Sequence, residues 1–184
     1  MIKNNIVTIN ITEDQRQRAR ERDPGRALNH SFTNGAGNLV GALGEVIVHD
    51  YYQPSFKFPD KTHYDYDLLH YSGKKIDVKS KKITFNYKPM GDFKVSVSTK
   101  GLGINQQCDV YIFTFIHESL QTGYIVGCYQ KSKFLEDSYF KKKGELDDIG
   151  DVRNPTFRFK ADAYHMLLKD LIYVPNNEIQ GVNK

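Results

Sequence analysis

The sequence predicts an α/β chain, because three kinds of pattern occur in it. Leu39, Leu43 and Val46 recur at helical spacing. Two short runs on either side of Ser72-Gly73 alternate apolar and polar residues, which is typical of a β-hairpin. Residues 109–116 form a nearly continuous apolar run, as expected of a buried central strand. At 184 residues, the chain is long enough for one domain with a substantial core.

The composition is that of a globular protein. Hydrophobic residues make up 39% and charged residues 26%, with a net charge of +4. The chain has no apolar run of the length that spans a membrane, and its first residues lack the pattern of a secretory signal. Cys108 and Cys128 have neither disulfide-framework nor metal-ligand spacing, so we expect buried thiols and a cytoplasmic location.

The amino-terminal elements are predicted from alternation and capping. Residues 6–11 alternate like a short strand or an extended arm. Thr12 can cap a helix that carries acidic residues in its first turn and runs to about Arg22, before the breaking residues 23–25. Its arginines interleave with few apolar residues, which fits either a solvated surface helix or an arm that contacts DNA.

A second helix is predicted over about residues 36–52. Gly41 and Gly44 would each weaken it by up to ~1 kcal/mol relative to alanine. Their presence therefore suggests that another backbone approaches closely. Glu45 lies at the border of the apolar stripe, where its carboxylate can point into a cleft beside the sheet.

The remaining elements follow from periodicity and from turn residues. They are a hairpin over 64–82, a strand over 93–98, the central strand over 109–116 and its hairpin partner over 123–129, a helix over 131–140, a charged loop over 141–151, an amphipathic helix over 161–171, and a short strand over 171–174.

The hairpin holds the most informative residues. Asp77 and Lys79 are two positions apart on its second strand, so both side chains leave the same face. Asp65 and Asp67 share a face of the first strand. Two carboxylates beside a lysine can hold a divalent cation next to the lysine's ammonium group. That combination suits metal-assisted attack of water on a phosphodiester.

A basic segment coincides with the hairpin. Residues 74–88 contain six lysines against the single Asp77. We predict that Lys75, Lys81 and Lys82 bind a polyanionic substrate, although lysines also protect exposed sheet edges from aggregation. Aromatic residues lie among them and would either stack on bases or pack the sheet, namely Tyr71, Phe85 and Tyr87.

The order of these elements resembles the PD-(D/E)XK nuclease superfamily over residues 36–130. Gly44-Glu45 is similar to the family's helix glutamate, Asp67 to its first-strand aspartate, and Asp77-Val-Lys79 to its (D/E)xK pair. The chain has Tyr66 where the family name has proline, and Asp65 stays a rival to Asp67. The resemblance implies an α+β fold, in which a mixed central β-sheet is flanked by helices in a restriction-endonuclease-like αβββαβ core. We divide the chain into an arm and helix (1–33), a catalytic core (34–130) and C-terminal elements (131–184).

The resemblance also implies a chemistry. Asp67, Asp77, the carbonyl of Val78 and Glu45 would bind Mg²⁺ or Mn²⁺, and Lys79 would orient the attacking water or neutralise charge on the phosphate. Gln107 would position the substrate. The implied function is a small metal-dependent deoxyribonuclease of phage or bacterial type, with DNA as its partner and a homodimer as one possible state. The alternative is a nucleic-acid-binding module with a nuclease-like fold and no catalysis.

The length of the hairpin loop tests this arrangement. A two-residue Ser72-Gly73 turn would pair Asp67 with Val78 and separate Asp67 from the face of Asp77. A three-residue turn over 72–74 would pair Asp67 with Lys79 and gather the polar groups. We therefore predict a loop of odd length, or a bulge with the same effect.

Overall fold

The computed structural model describes residues 6–22, 38–60, 65–99, 105–148 and 156–172. Three α-helices and nine strands lie in these ranges. The helices are α1 (Glu13–Arg22), α2 (Asn38–Tyr51) and α3 (Lys131–Asp137). The strands are β1 (Val7–Asn10), β2 (Phe56–Lys57), β3 (Leu68–His70), β4 (Lys75–Ile83), β5 (Lys94–Ser98), β6 (Val110–His117), β7 (Thr122–Gln130), β8 (Tyr139–Lys141) and β9 (Ala163–Leu167).

The strands form two sheets within the described ranges. Six of them lie in the order β1-β7-β6-β4-β3-β2, and three lie in the order β5-β9-β8. Strands β4 and β6 are parallel, whereas the other pairs of the larger sheet are antiparallel. The predicted class, a mixed α/β fold with a mixed sheet, is therefore confirmed.

Strand β6 lies at the centre and is buried on both faces. Tyr111, Phe113 and Phe115 pack on one side, in a cluster that includes residues of β5, β9 and α3. Ile112 and Ile116 pack on the other side, in clusters that include residues of α2. This double burial explains the continuous apolar run of β6, and it confirms the prediction of a central strand with β7 as its hairpin partner.

Helix α1 begins with the predicted cap. The Gln15 N–H donates to Thr12 Oγ1 at 3.2 Å, and the Thr12 N–H donates to Gln15 Oε1 at 3.0 Å. Arg18 pairs with Asp50 of α2, so α1 is not simply a solvated helix but is tied to α2 by charge. The predicted helix stop at residues 23–25 lies outside the described residues.

Helix α2 approaches the sheet closely at one of its two glycines, although it meets side-chain atoms there and not the backbone that was predicted. A Cβ atom at Gly44 would lie 1.9 Å from Ser80 Oγ and 2.7 Å from Thr114 Oγ1, so the helix backbone rests directly on β4 and β6. Gly41 has nothing within 4 Å of the corresponding position, and the expectation of a close neighbour there was wrong. Gly44 immediately precedes Glu45, so this contact holds Glu45 near the sheet.

The hairpin loop has the predicted odd length but a different register. The His70 N–H donates to the Lys74 carbonyl at 2.9 Å, which leaves three residues, Tyr71–Gly73, in the loop. Leu68 is opposite Ile76, so Asp67 is next to Asp77 and the predicted pairing with Lys79 was wrong. The turn closes one residue early because Gly73 takes its last position with φ of 87°, a conformation that glycine adopts most readily. The two carboxylates still share a face.

The helix predicted over residues 161–171 was wrong. This segment forms β9 and then a short 3-10 helix, Leu168–Asp170. Strand β9 pairs with β5 on one side and β8 on the other, so its backbone groups bond to neighbouring strands instead of within a helix. The strand and the turn that follows it together produce an apolar spacing that mimics an amphipathic helix.

Other C-terminal predictions are partly confirmed. The helix predicted over 131–140 ends at Asp137, and its last residues belong to β8. The charged segment contains a single bridge between Leu146 and Arg158, and residues 149–151 of it lie outside the described ranges. In the strand predicted over 171–174, Ile172 bridges Cys128, and residues 173–174 lie outside the described ranges.

Candidate active site

The candidate site lies beside β4, at the residue that directly precedes β3. The Asp67 N–H donates to the Ile76 carbonyl at 2.8 Å, and Asp67 Oδ2 accepts the Val78 N–H at 2.7 Å. The carboxylate of Asp67 thus satisfies a backbone donor that has lost its neighbouring strand.

Asp77 and Lys79 leave β4 on the same face, as predicted. They are in register with Tyr111 and Phe113 of β6, and the ammonium of Lys79 lies 5.7 Å from the centre of the Tyr111 ring. Asp77 is 2% exposed. Lys79 Nζ lies 2.7 Å from Asp77 Oδ2, and the two groups form an ion pair without an aligned hydrogen bond to that oxygen. This leaves a buried carboxylate oxygen with unused acceptor capacity.

Glu45 reaches the site from α2. Arg22 of α1 donates to its carboxylate at 2.8 Å, and the Glu45 side chain is 19% exposed. The Arg22 guanidinium also lies 3.7 Å from the centre of the Phe58 ring, which fixes the cation from its other side. Helix α1 therefore supplies the counter-charge for the helix glutamate.

The charges of the three carboxylates influence one another. Burial raises the pKa of Asp67 well above its usual range, and the charges of Glu45 and Asp77 raise this pKa further. The Val78 N–H and Lys79 act in the opposite direction but do not cancel the effect. Burial also raises the pKa of Glu45, with Arg22 opposing and Asp77 adding to the shift. Three acidic groups held together despite mutual repulsion are typical of a functional site.

The structure brings one glutamine onto Lys79, and it is not the predicted one. Lys79 Nζ donates to Gln106 Oε1 at 2.7 Å. The side-chain amide of Gln107 donates to the carbonyl of Asn105, and its backbone N–H donates to Asp65 Oδ1 at 3.1 Å. Asp65, the rival ligand, is thereby tied to the loop before β6, while Asp67 faces β4.

The predicted substrate-binding lysines point in different directions. Lys81 shares the face of Lys79 and lies 5.6 Å from the centre of the Phe115 ring. Lys82, the next residue, is exposed and leaves the opposite face of β4. Lys75 lies at the start of β4, with its ammonium 5.4 Å from the centre of the Tyr66 ring. Of these three lysines, Lys81 continues the line of Asp77 and Lys79.

The aromatic residues near the basic segment divide between packing and exposure. Phe85 stacks on Tyr87 with ring centres 4.7 Å apart and packs against Phe93 at 4.8 Å. Tyr71 in the hairpin loop is 63% exposed. Phe85 therefore packs beside the core, whereas Tyr87, which stacks on it, is 43% exposed.

The cysteines are thiols, as predicted. Cys128 is buried and Cys108 is half-buried, and neither forms a disulfide. Burial raises the pKa of both thiols to about 12, so they are protonated at neutral pH.

Sequence reasoning missed two residues of the site, Gln106 and Arg22. The sequence did point to this glutamine pair, since Gln107 was predicted to bind substrate. Which of the two adjacent glutamines faces the site depends on the path of the loop. Arg22 belongs to an arginine-rich helix whose sequence does not indicate which arginine turns inward.

The donor set suits a hard divalent cation, because it offers carboxylate oxygens and the Val78 carbonyl. The structural observation that supports this fit is the buried Asp77 carboxylate, whose Oδ2 pairs with Lys79 but accepts no aligned hydrogen bond. Among the described residues, no group of three or more acidic, histidine or cysteine side chains is gathered closely enough to hold a metal ion. Glu45 is instead held by Arg22, and Asp67 by the Val78 N–H.

The comparisons with known proteins do not identify the chain. No protein-family model matches it, and no curated protein is significantly similar to it. In the part of the chain that the structure describes, no helix is long and apolar enough to cross a membrane.

Proposed function

We propose that the protein is a metal-dependent nuclease that hydrolyses phosphodiester bonds of DNA and belongs to the PD-(D/E)XK superfamily. The observation that carries this proposal is the Asp77–Lys79 ion pair on β4, beside Asp67, which accepts the N–H of the intervening Val78. Glu45 comes from α2, Asp67 directly precedes β3, and Asp77 lies on β4; the charge of Asp77 raises the pKa of both Asp67 and Glu45. An acid–x–lysine pair on a strand beside further carboxylates is the arrangement that the superfamily resemblance implies.

The fold supports this proposal in part. Helix α2, the β3–β4 hairpin and the buried β6 occur in the expected order, and α2 packs on the sheet next to Glu45. In the αβββαβ order of the superfamily, a helix precedes the last core strand. In this chain, the described residues between β4 and β6 contain the strand β5. The proposal therefore depends on the site more than on the complete αβββαβ order.

Each residue has a distinct role in the proposed mechanism. Asp67, Asp77, Glu45 and the Val78 carbonyl would hold Mg²⁺ or Mn²⁺, which lowers the pKa of water and stabilises the leaving oxygen. Lys79 is held between Asp77 and Gln106, so its ammonium is fixed where it can neutralise charge on the scissile phosphate. Gln106 acts as a positioning residue, since it reaches the reaction through Lys79.

The first test is the Asp77→Asn variant, which keeps the size of the side chain and removes its charge. We expect metal-dependent cleavage of DNA to fall at least about 100-fold, because the variant loses a metal ligand and the partner of Lys79. Wild-type protein and the variant would be assayed on single-stranded, double-stranded and branched DNA, with EDTA as the no-metal control. Glu136→Gln, an exposed position on α3, is the matched control and should cleave like the wild type.

Folding and binding must be measured with the same variant. Asp77→Asn should melt cooperatively and bind DNA with near wild-type affinity. Full cleavage by a folded Asp77→Asn variant would rule out the mechanism.

A second function is favoured by the Arg22–Glu45 ion pair. This pair occupies the helix carboxylate, and the described carboxylates are not gathered into a closed metal cluster. A nucleic-acid-binding module without catalysis would have these features. It predicts DNA binding that is unaffected by EDTA, and no cleavage with Mg²⁺ or Mn²⁺ on any of the three substrates.

A further inference from the structure

A cleft runs from the candidate site into the space between the two sheets. Its volume is about 470 Å³, and it is bounded by β4 and β6 on one side and by β5 and β9 on the other. Val78 and Lys79 are among its lining residues, so the cleft opens directly from the proposed catalytic group. Nothing in the hairpin sequence indicated this cleft, because β5 and β9 come from distant parts of the chain.

The lining of the cleft is strongly cationic. Among the described residues, it contains four lysines and one carboxylate, namely Lys79, Lys81, Lys94, Lys160 and Asp147. Asp147 forms an ion pair with Lys94. Lys81 is exposed to the cleft, and its Nζ donates to the Lys94 carbonyl at 3.5 Å. Lysines gathered against their mutual repulsion favour an anionic ligand between them.

The cleft also offers aromatic surface and an unused polar group. Phe157 is 37% exposed although it lines the cleft, and its ring packs edge-on against Phe159. His165 is 6% exposed, and its Nε2 has no hydrogen-bond partner among the described residues. Its ring stacks on Tyr139. A base bound on Phe157 would bring hydrogen-bonding groups close to the wall that contains His165.

We propose that this cleft binds one nucleotide of single-stranded DNA next to the scissile phosphate, with its phosphate on Lys81 and Lys160 and its base on Phe157. This inference rests on the proposed nuclease function for the identity of the ligand. A cleft of this volume belongs to the size class that encloses a small ligand. A volume of about 470 Å³ is too small to enclose a DNA duplex. The substrate strand must therefore be unpaired where it passes the site.

The test measures binding without cleavage. A fluorescently labelled 20-nucleotide thymidine oligomer and a blunt duplex of equal length would be titrated by fluorescence anisotropy in EDTA, over a series of salt concentrations. We expect the single strand to bind at least about tenfold more tightly than the duplex. Lys81→Ala and Lys160→Ala should each weaken its binding and reduce the slope of log K against log salt by about 0.7, because one phosphate contact is lost. Phe157→Ala should weaken binding at least about fivefold, with an unchanged salt slope.

Two further variants show whether a loss of binding results from misfolding. Lys133→Ala removes an exposed lysine on α3, outside the cleft, and should leave affinity and salt slope unchanged. Lys81→Gln keeps much of the side-chain stem, and should reproduce the loss of slope if Lys81→Ala is unstable. Equal affinity for duplex and single strand would overturn the proposal, and so would an affinity that Lys81→Ala and Lys160→Ala do not change.

The outcome also separates this inference from the proposed function. Strand binding that depends on the cleft lysines, without metal-dependent cleavage, would keep the cleft and reject the nuclease. Cleavage that depends on Asp77, together with equal binding of duplex and single strand, would keep the nuclease and reject the cleft assignment.

Discussion

The contact between α2 and the sheet can be tested with two glycines of the same helix. Alanine at either position gains the same helix propensity, about 0.5–1 kcal/mol. At Gly41 the new Cβ has nothing within 4 Å, so we expect Gly41→Ala to be stabilised by that amount. At Gly44 it would lie 1.9 Å from Ser80 Oγ and 3.1 Å from Ser80 Cβ, so Ser80 must rotate and the helix must also shift by a few tenths of an ångström. Overpacking of this kind costs about 1–3 kcal/mol.

Because the propensity gain is shared, the difference between the two variants measures the packing cost alone. For a chain of this length, it corresponds to a separation of about 2–12 °C in Tm. Urea unfolding at equal m-value would give the free energies, and Ser80→Ala added to Gly44→Ala should restore part of the loss. Gly44→Ala should also lower DNA cleavage, because it displaces Glu45 from the sheet. A Gly44→Ala variant as stable as Gly41→Ala would refute the described packing of α2.

Two further predictions concern charge. Because the pKa of Asp67 is raised on folding, its ionisation destabilises the native state as pH rises above the ordinary aspartate value of 3.8. Asp67→Asn should therefore have a higher Tm than the wild type at pH 8 in EDTA, and this difference should disappear below about pH 4. Mg²⁺ should not raise the Tm of the variant, and a rise equal to that of the wild type would contradict the role of Asp67 as a metal ligand. Burial raises the pKa of Asp50, but Arg18, Gln15 and His49 outweigh this effect and lower it to about 2, so its contribution is present above pH 3.8 and is lost as pH falls toward 2. In urea unfolding at pH 7, Arg18→Ala should lower the free energy of unfolding by about 1–2 kcal/mol. Arg20→Ala, which removes an exposed ion pair with Glu13, should change it by no more than about 0.5 kcal/mol. Equal losses in the two variants would show that Arg18 does not tie α1 to α2.

Much of the fold could be predicted because its signals are local. The cap of α1 depends on residues three positions apart, Thr12 and Gln15. The continuous apolar run predicts the strand β6, because both faces of this strand are buried. Asp77 and Lys79 share a face simply because they are two positions apart on a strand. These properties need no knowledge of distant residues.

The candidate site was only partly predictable. The sequence predicted four site residues, Glu45, Asp67, Asp77 and Lys79. In the structure, the charges of the other three shift the pKa of Asp67, and the charge of Asp77 shifts that of Glu45. Gln106 was missed in favour of its neighbour, because the direction of a loop side chain depends on what lies beside the loop. The register of the hairpin was predicted two residues away from the observed one, because the conformation of Gly73 decided where the turn closes.

The sequence by itself determined which segments are apolar, where helices can begin and which acidic residues share a strand face, since these follow from spacing along one segment. Only the tertiary structure decided that residues 163–167 form a strand, because the hydrogen bonds that hold it come from β5 and β8. The same pairing brings Lys94 and Lys160 across from Lys81 and so creates the cationic cleft. Backbone groups must find partners wherever the chain provides them, and those partners lie about 70 and 25 residues away along the chain.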